Sequence, residues 1–97
     1  MATYFMFFRF TPQGLEHVHE SPARVDALKP QFRKANAEIK AFYGLLGGPY
    51  DTVFLVDAPD EETVARLSLQ IGRAGHVTCD THRAFDEEEY RRITRGT

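Results

Sequence analysis

The residues best suited to chemistry lie in the segment His76 to Phe85, whose β-branched and aromatic character reads as a strand. His76, Thr78, Asp80 and His82 alternate there, so they share one face, with neighbours roughly 6.5–7 Å apart. A histidine exchanges protons near neutral pH and a carboxylate can orient it, so His82 and Asp80 form a candidate base and its orienter. His76 adds a third polar contact for a substrate on that face. The odd positions Val77, Cys79, Thr81, Arg83 and Phe85 are more apolar and are expected to meet helices. Arg83, with Arg9, could neutralise an anionic ligand. Tyr50 and Asp51 close the turn Gly47-Gly48-Pro49-Tyr50-Asp51. The Tyr50 hydroxyl could donate to a ligand oxygen at a cavity mouth, while Asp51 suits a bond to backbone amides and Gly48 a positive φ. Each reading has a plainer rival. The last strand of such a sheet is an edge, and edges carry polar residues to deter pairing. Exposed arginines form surface ion pairs worth little.

Other residues are poorer candidates. His17 and His19 stand two apart on a helical segment, about 200° around it, and cannot chelate one metal. Cys79, on the apolar face, reads as a small buried hydrophobe. The single cysteine excludes an intrachain disulfide framework and a cysteine-based zinc site. Gly44, Gly47 and Gly48 belong to a hairpin and not to a phosphate-binding strand-to-helix turn. Neither metal nor cofactor is expected.

The elements that must position these residues follow from the apolar pattern. Thr3 to Phe10 is apolar at both parities, which predicts a strand covered on both faces. Thr11-Pro12 starts a short helix, and Ser21-Pro22 starts a longer one with Val25, Leu28, Phe32 and Ala35 on its inner face. Pro30 predicts a kink in it. Ile39 to Leu46 reads as a strand with Ile39, Ala41, Tyr43 and Leu45 on one face and Lys40, Phe42 and Leu46 on the other. Thr52 to Ala58 is a third strand, greasy on both sides. A helix from Pro59 follows, with Val64, Leu67 and Ile71 as its stripe, then the His76 to Phe85 strand and a short helix capped by Asp86.

Strand, helix, strand, strand, helix, strand is the ferredoxin-like βαββαβ order: an α+β fold with a four-stranded antiparallel sheet in a single domain, residues 1–97. Its helices cover one sheet face only, yet the first and third strands are apolar on both. A second copy is the simplest cover, which predicts a dimeric α/β barrel and at least a homodimer. Twelve Lys+Arg against fourteen Asp+Glu give a net charge of −2, which argues against a nucleic-acid partner. No apolar run suits a membrane helix, and no signal-peptide pattern opens the chain, so a cytoplasmic location is expected.

Several motifs in order carry a resemblance: Phe10-Thr11-Pro12-Gln13-Gly14, Glu20-Ser21-Pro22, Leu46-Gly47-Gly48-Pro49-Tyr50-Asp51, Ala58-Pro59-Asp60 and Thr81-His82-Arg83-Ala84-Phe85. Together they resemble the GYD domain family, whose Gly-x-Tyr-Asp turn is Gly48, Tyr50 and Asp51 here. The resemblance implies the fold of the dimeric α/β barrels and no particular activity. The leading functional expectation is a homo-oligomer that binds a small hydrophobic or anionic molecule, with cofactor-free catalysis on a hydrophobic substrate as its enzymatic form. The alternative is a non-catalytic effector-binding or assembly module.

Overall fold

The first strand, β1 (Ala2–Phe10), stops where the Thr11 side chain accepts from the Gly14 amide and caps α1 (Pro12–Glu16). This computed structural model describes Met1–Thr97 throughout. A 3₁₀ turn, Val18–Glu20, leads into α2 (Ser21–Lys34). The helix continues through Pro30 as one element, because the ring removes one backbone donor without ending the run. Asn36, at φ 60°, then reverses the chain. Next come β2 (Glu38–Gly44), β3 (Thr52–Ala58), α3 (Glu61–Arg73), β4 (Val77–Ala84) and α4 (Glu87–Arg95). No helix is long and apolar enough to cross a membrane.

The sheet runs β2-β3-β1-β4, with every neighbouring pair antiparallel. This is the ferredoxin-like α+β arrangement that the element order predicts. In β1 the even residues Tyr4, Met6 and Phe8 face the helices and are buried. They pair in register with Val56, Phe54 and Thr52 of β3. Phe32 of α2 and Val64, Leu67 and Ile71 of α3 close over them to complete the core. Aromatic edges order this layer: Phe54 meets Phe8, Phe32 and Phe42 at centroid distances of 4.8, 5.9 and 5.7 Å.

The odd residues of β1 face the other way. Phe5 pairs with Leu55 on one side and His82 on the other; Phe7 pairs with Val53 and Asp80. No helix lies over this open face, and Phe5 remains 38% exposed. One face assignment read from the sequence is corrected in β2. The register shifts between Ile39 and Ala41, so Ile39 pairs with Val56 on the helix side while Ala41 pairs with Leu55 on the open side. A bulged residue resets the alternation, which a strict period of two cannot anticipate. Ile39 and Phe42 therefore join the helix face, and Ala41 and Tyr43 the open one. Leu45 and Leu46 lie beyond the strand.

Two helix starts hold carboxyls whose pKa values lie below the ordinary ones. Asp60 accepts from the Thr63 amide at 2.8 Å, which holds its carboxyl below the ordinary value. Asp86 and Glu89 form a reciprocal capping box on α4. The bond from the Asp86 amide, then Arg83 at 3.1 Å, depresses the Glu89 carboxyl. A carboxyl depressed in the folded state stabilises it above the unfolded pKa and ceases to as pH falls through the folded one. Denaturant titrations should therefore show stability dropping below the ordinary values of 3.8 and 4.5. The combined Asp60→Asn and Glu89→Gln variant should show a shallower drop. An identical slope would refute this assignment.

Candidate functional site

The open face carries its polar groups along β4 and the adjoining turn. Thr78, Asp80 and His82 are exposed, while Cys79 and Thr81 alternate toward α3, as the strand pattern predicts. The Cys79 thiol lies 3.3 Å from the Thr81 hydroxyl, and burial pushes its pKa up, away from nucleophilic use.

Tyr50 reaches this face because the turn before it is built from left-handed glycines, Gly47 at φ 76° and Gly48 at φ 77°. Asp51 then anchors the turn to β1. Its carboxylate accepts from the Phe10 amide at 2.9 Å and its own amide donates to the Phe8 carbonyl at 2.8 Å. The Tyr50 ring, so held, stacks on Phe7 at 4.8 Å, and its hydroxyl donates to Asp80 at 2.8 Å. Arg9 completes the cluster. Its Nε donates to the Pro49 carbonyl at 2.7 Å, its guanidinium lies 5.1 Å from the Tyr50 ring centroid, and another of its nitrogens is 3.5 Å from the Asp80 carboxylate. By accepting the hydrogen bond of the phenol, the Asp80 carboxylate raises the Tyr50 pKa above its ordinary value.

Four of the sequence-selected residues are thus resolved into two situations. Tyr50 and Asp80 are brought together, with Arg9 as their third member. His82 lies on the same face but makes no hydrogen bond to Asp80; its ring meets the edge of Phe7 at 5.6 Å. The expected base-and-orienter pair is not joined, because residues two apart on a strand need a bridging molecule to meet.

His76 and Arg83 lie elsewhere. β4 begins at Val77, and the chain enters it through Gly75 at φ 85°. His76 therefore leaves the strand alternation that would set it beside Thr78, and it lines a cavity on the helix side. Arg83 follows its odd parity to the helix side. It pairs with Glu89 of α4, donates to the carbonyls of Thr3 and Ala84, and lies over the Phe85 ring at 4.7 Å. It is a structural tie between β4 and α4, removed from Asp80 by the thickness of the sheet.

Phe7 is the member of this cluster that residue type alone did not single out. It touches both Tyr50 and His82. Antiparallel pairing of the first and last strands, placing Phe7 opposite Asp80 and Phe5 opposite His82, is the signal that reveals it. Further apolar exposure sits at the C-terminal end, at Phe85, Tyr90 and Ile93. No three His, Cys, Asp or Glu side chains are grouped to hold a metal ion.

The turn geometry gives a measurable contrast. Valine at Gly48 has space but must adopt a positive φ, at a cost of about 1–2 kcal/mol. Tyr50→Phe removes only one exposed hydrogen bond, a smaller loss than a forced backbone conformation. Thermal melting should show Gly48→Val as the less stable of the two; equal melting of Gly48→Val and wild type would contradict the turn's role.

A four-stranded antiparallel sheet with helices on one face and an aromatic, polar-rimmed surface on the other defines a ferredoxin-like α+β domain with a surface suited to binding. The family follows from the sequence match: the profile of the GYD domain family covers residues 4–94, and the chain belongs to that family. It is also similar to a protein of Thermus thermophilus named glutamine synthetase and cystathionine beta-lyase binding protein, at 33% identity over 86 residues. That match spans 88% of this chain and 90% of the relative. No solved structure matches at a significant level.

Proposed function

We propose that this chain is a non-catalytic interaction module that pairs with a second copy of itself across the open sheet face and, so assembled, binds enzymes. The observation that carries the reading is the open face itself. Its centre is apolar, with Phe5, Phe7 and Leu55 around the buried Val53, and Tyr43 stands on the edge strand beside them. The strongest polar group beside it, Tyr50–Asp80–Arg9, is already internally paired. A surface of this kind suits association: apolar at the middle and hydrogen-bonded at the rim. It suits proton transfer less well, because Asp80 is engaged by Tyr50 and Arg9 and His82 has no carboxylate to orient it. In this reading His82, beside Phe5 in register, is a contact residue, and Tyr50 and Asp80 hold the rim in shape.

The Thermus thermophilus relative supports protein partners, since its name describes a binding protein for two enzymes. Glutamine synthetase and cystathionine β-lyase from this chain's own organism are accordingly the first partners to test. The wild-type protein, immobilised and exposed to each purified enzyme, should bind at least one of them saturably at micromolar concentration. Binding to neither would overturn the enzyme-partner reading.

A further inference from the structure

The sheet has two edges, β2 and β4, and they are protected differently. β2 carries a bulge between Ile39 and Ala41, with Lys40 at it, and both features deter a further strand from adding. β4 has neither. Its register against β1 runs unbroken from Val77 opposite Phe10 to Ala84 opposite Thr3, and it contains no proline or lysine. Beyond that ladder, no backbone group from Val77 to Arg83 bonds to another part of the chain.

Two polar side chains on the open face of β4 are also unspent. Tyr50 and Arg9 both meet Asp80 at Oδ2, which leaves Oδ1 without a partner. His82 makes its edge contact with Phe7 and no hydrogen bond. Asp80 and His82 do not meet along one strand, but an antiparallel pair of β4 strands lets each meet the other's counterpart.

Only a few registers of such a pair are open. Across a two-fold axis, residues of equal parity must stand opposite each other, or open-face side chains would meet helix-side ones. Centred on Asp80, the pairing opposes two carboxylates; centred on His82, it opposes two imidazoles. Centred on Thr81, it sets Asp80 opposite the partner's His82 and His82 opposite the partner's Asp80. The same register sets Thr81 against the partner's Thr81. Continued past the strand, it brings Phe85, 52% exposed, opposite the partner's Val77. Opposite charges, paired threonines and apolar pairs are the cross-strand combinations that stabilise a sheet.

We propose that β4 is a second self-association edge, which pairs antiparallel with β4 of another copy about Thr81 and joins two four-stranded sheets side by side. Arg9 already balances part of the Asp80 charge, so the Asp80–His82 pairs fix the register more than they add strength. This contact goes beyond the one across the open face and does not depend on it.

The test uses Phe5→Glu as background, so that the open-face contact and the edge contact are read separately. Exposed main-chain bonds are individually modest, so association is measured by sedimentation equilibrium at roughly 0.5 mM. The background protein should approach twice 11.1 kDa there. Adding His82→Asp, which opposes two carboxylates, should weaken association at least about fivefold, and His82→Lys should strengthen it. Oxidative cross-linking reads the register, with Cys79→Ser removing the native thiol. Thr81→Cys stands opposite its own copy at about 4.5–5.5 Å between α-carbons, within reach of a disulfide. Thr78→Cys, at a more exposed position, lies about 20 Å from its copy and should not cross-link. If Thr81→Cys fails to fold, the two His82 variants decide. A mass of 11.1 kDa at this concentration, equal association of the His82 variants, or cross-linking of Thr78→Cys as fast as Thr81→Cys would overturn the proposal.

Discussion

Gly14→Ala is expected to lower the melting temperature by roughly 15 °C, the effect of about 3 kcal/mol in a domain of this size. The added β-carbon would sit 1.9 Å from the His76 carbonyl oxygen. That oxygen is backbone, fixed by the bond from the Thr11 amide, so it cannot turn aside as a side chain would. Either α1 moves off the end of β1 or the Gly75–His76 segment is displaced. Helix propensity alone favours alanine over glycine by about 1 kcal/mol, so the expected sign is opposite to the intrinsic one. Gly44→Ala is the control. It meets nothing within 4 Å and has no positive φ, and it should melt at or above the wild-type temperature. Parallel thermal melts decide the matter, and wild-type stability in Gly14→Ala would show that the close approach does not hold in solution.

Phe5→Glu should abolish self-association while leaving the fold intact. Phe5 is not part of the helix-side core and is already 38% exposed, so one chain can place a glutamate there at little cost. Across a two-fold interface the substitution counts twice, since the same patch meets itself. Loss of a buried aromatic contact together with burial of a charge is worth about 3 kcal/mol per copy, which is roughly a hundredfold in affinity for each. Circular dichroism should be unchanged, and sedimentation velocity at low micromolar concentration should give only the 11.1 kDa species. A folded variant that sediments like wild type would place the self-contact elsewhere, with the exposed Tyr90 and Ile93 of α4 as the next surface to alter.

Much of this architecture was legible in the residues, for identifiable reasons. Strands with bulky apolar residues at both parities, Tyr4 to Phe10 and Val53 to Val56, announce a sheet with two faces to cover. Thr11-Pro12, Asp60 and Asp86 mark helix starts because a short polar side chain followed by an acid or a proline has few other uses there. Alternation in β4 correctly separated Asp80 and His82 from Cys79 and Thr81. What escaped the sequence depended on events without a periodic signature. The bulge at Ile39/Ala41 reset the faces of β2 by one residue. The left-handed Gly75 removed His76 from its strand, and so from the face that alternation assigned to it. Arg83 had the right parity, but its use was set by Glu89 on α4, a partner that spacing along one strand cannot reveal. Tyr50 and Asp80 lie far apart in sequence and met only through the register of β1 against β4 and the anchoring of Asp51 to β1.

Sedimentation equilibrium of the wild-type protein at low micromolar concentration tests the central claim most directly. An open face built from Phe5, Phe7, Val53 and Leu55 and covered by a second copy predicts a mass of at least twice 11.1 kDa, falling to 11.1 kDa in Phe5→Glu. A folded wild-type protein that sediments as a single 11.1 kDa species across that range would contradict it.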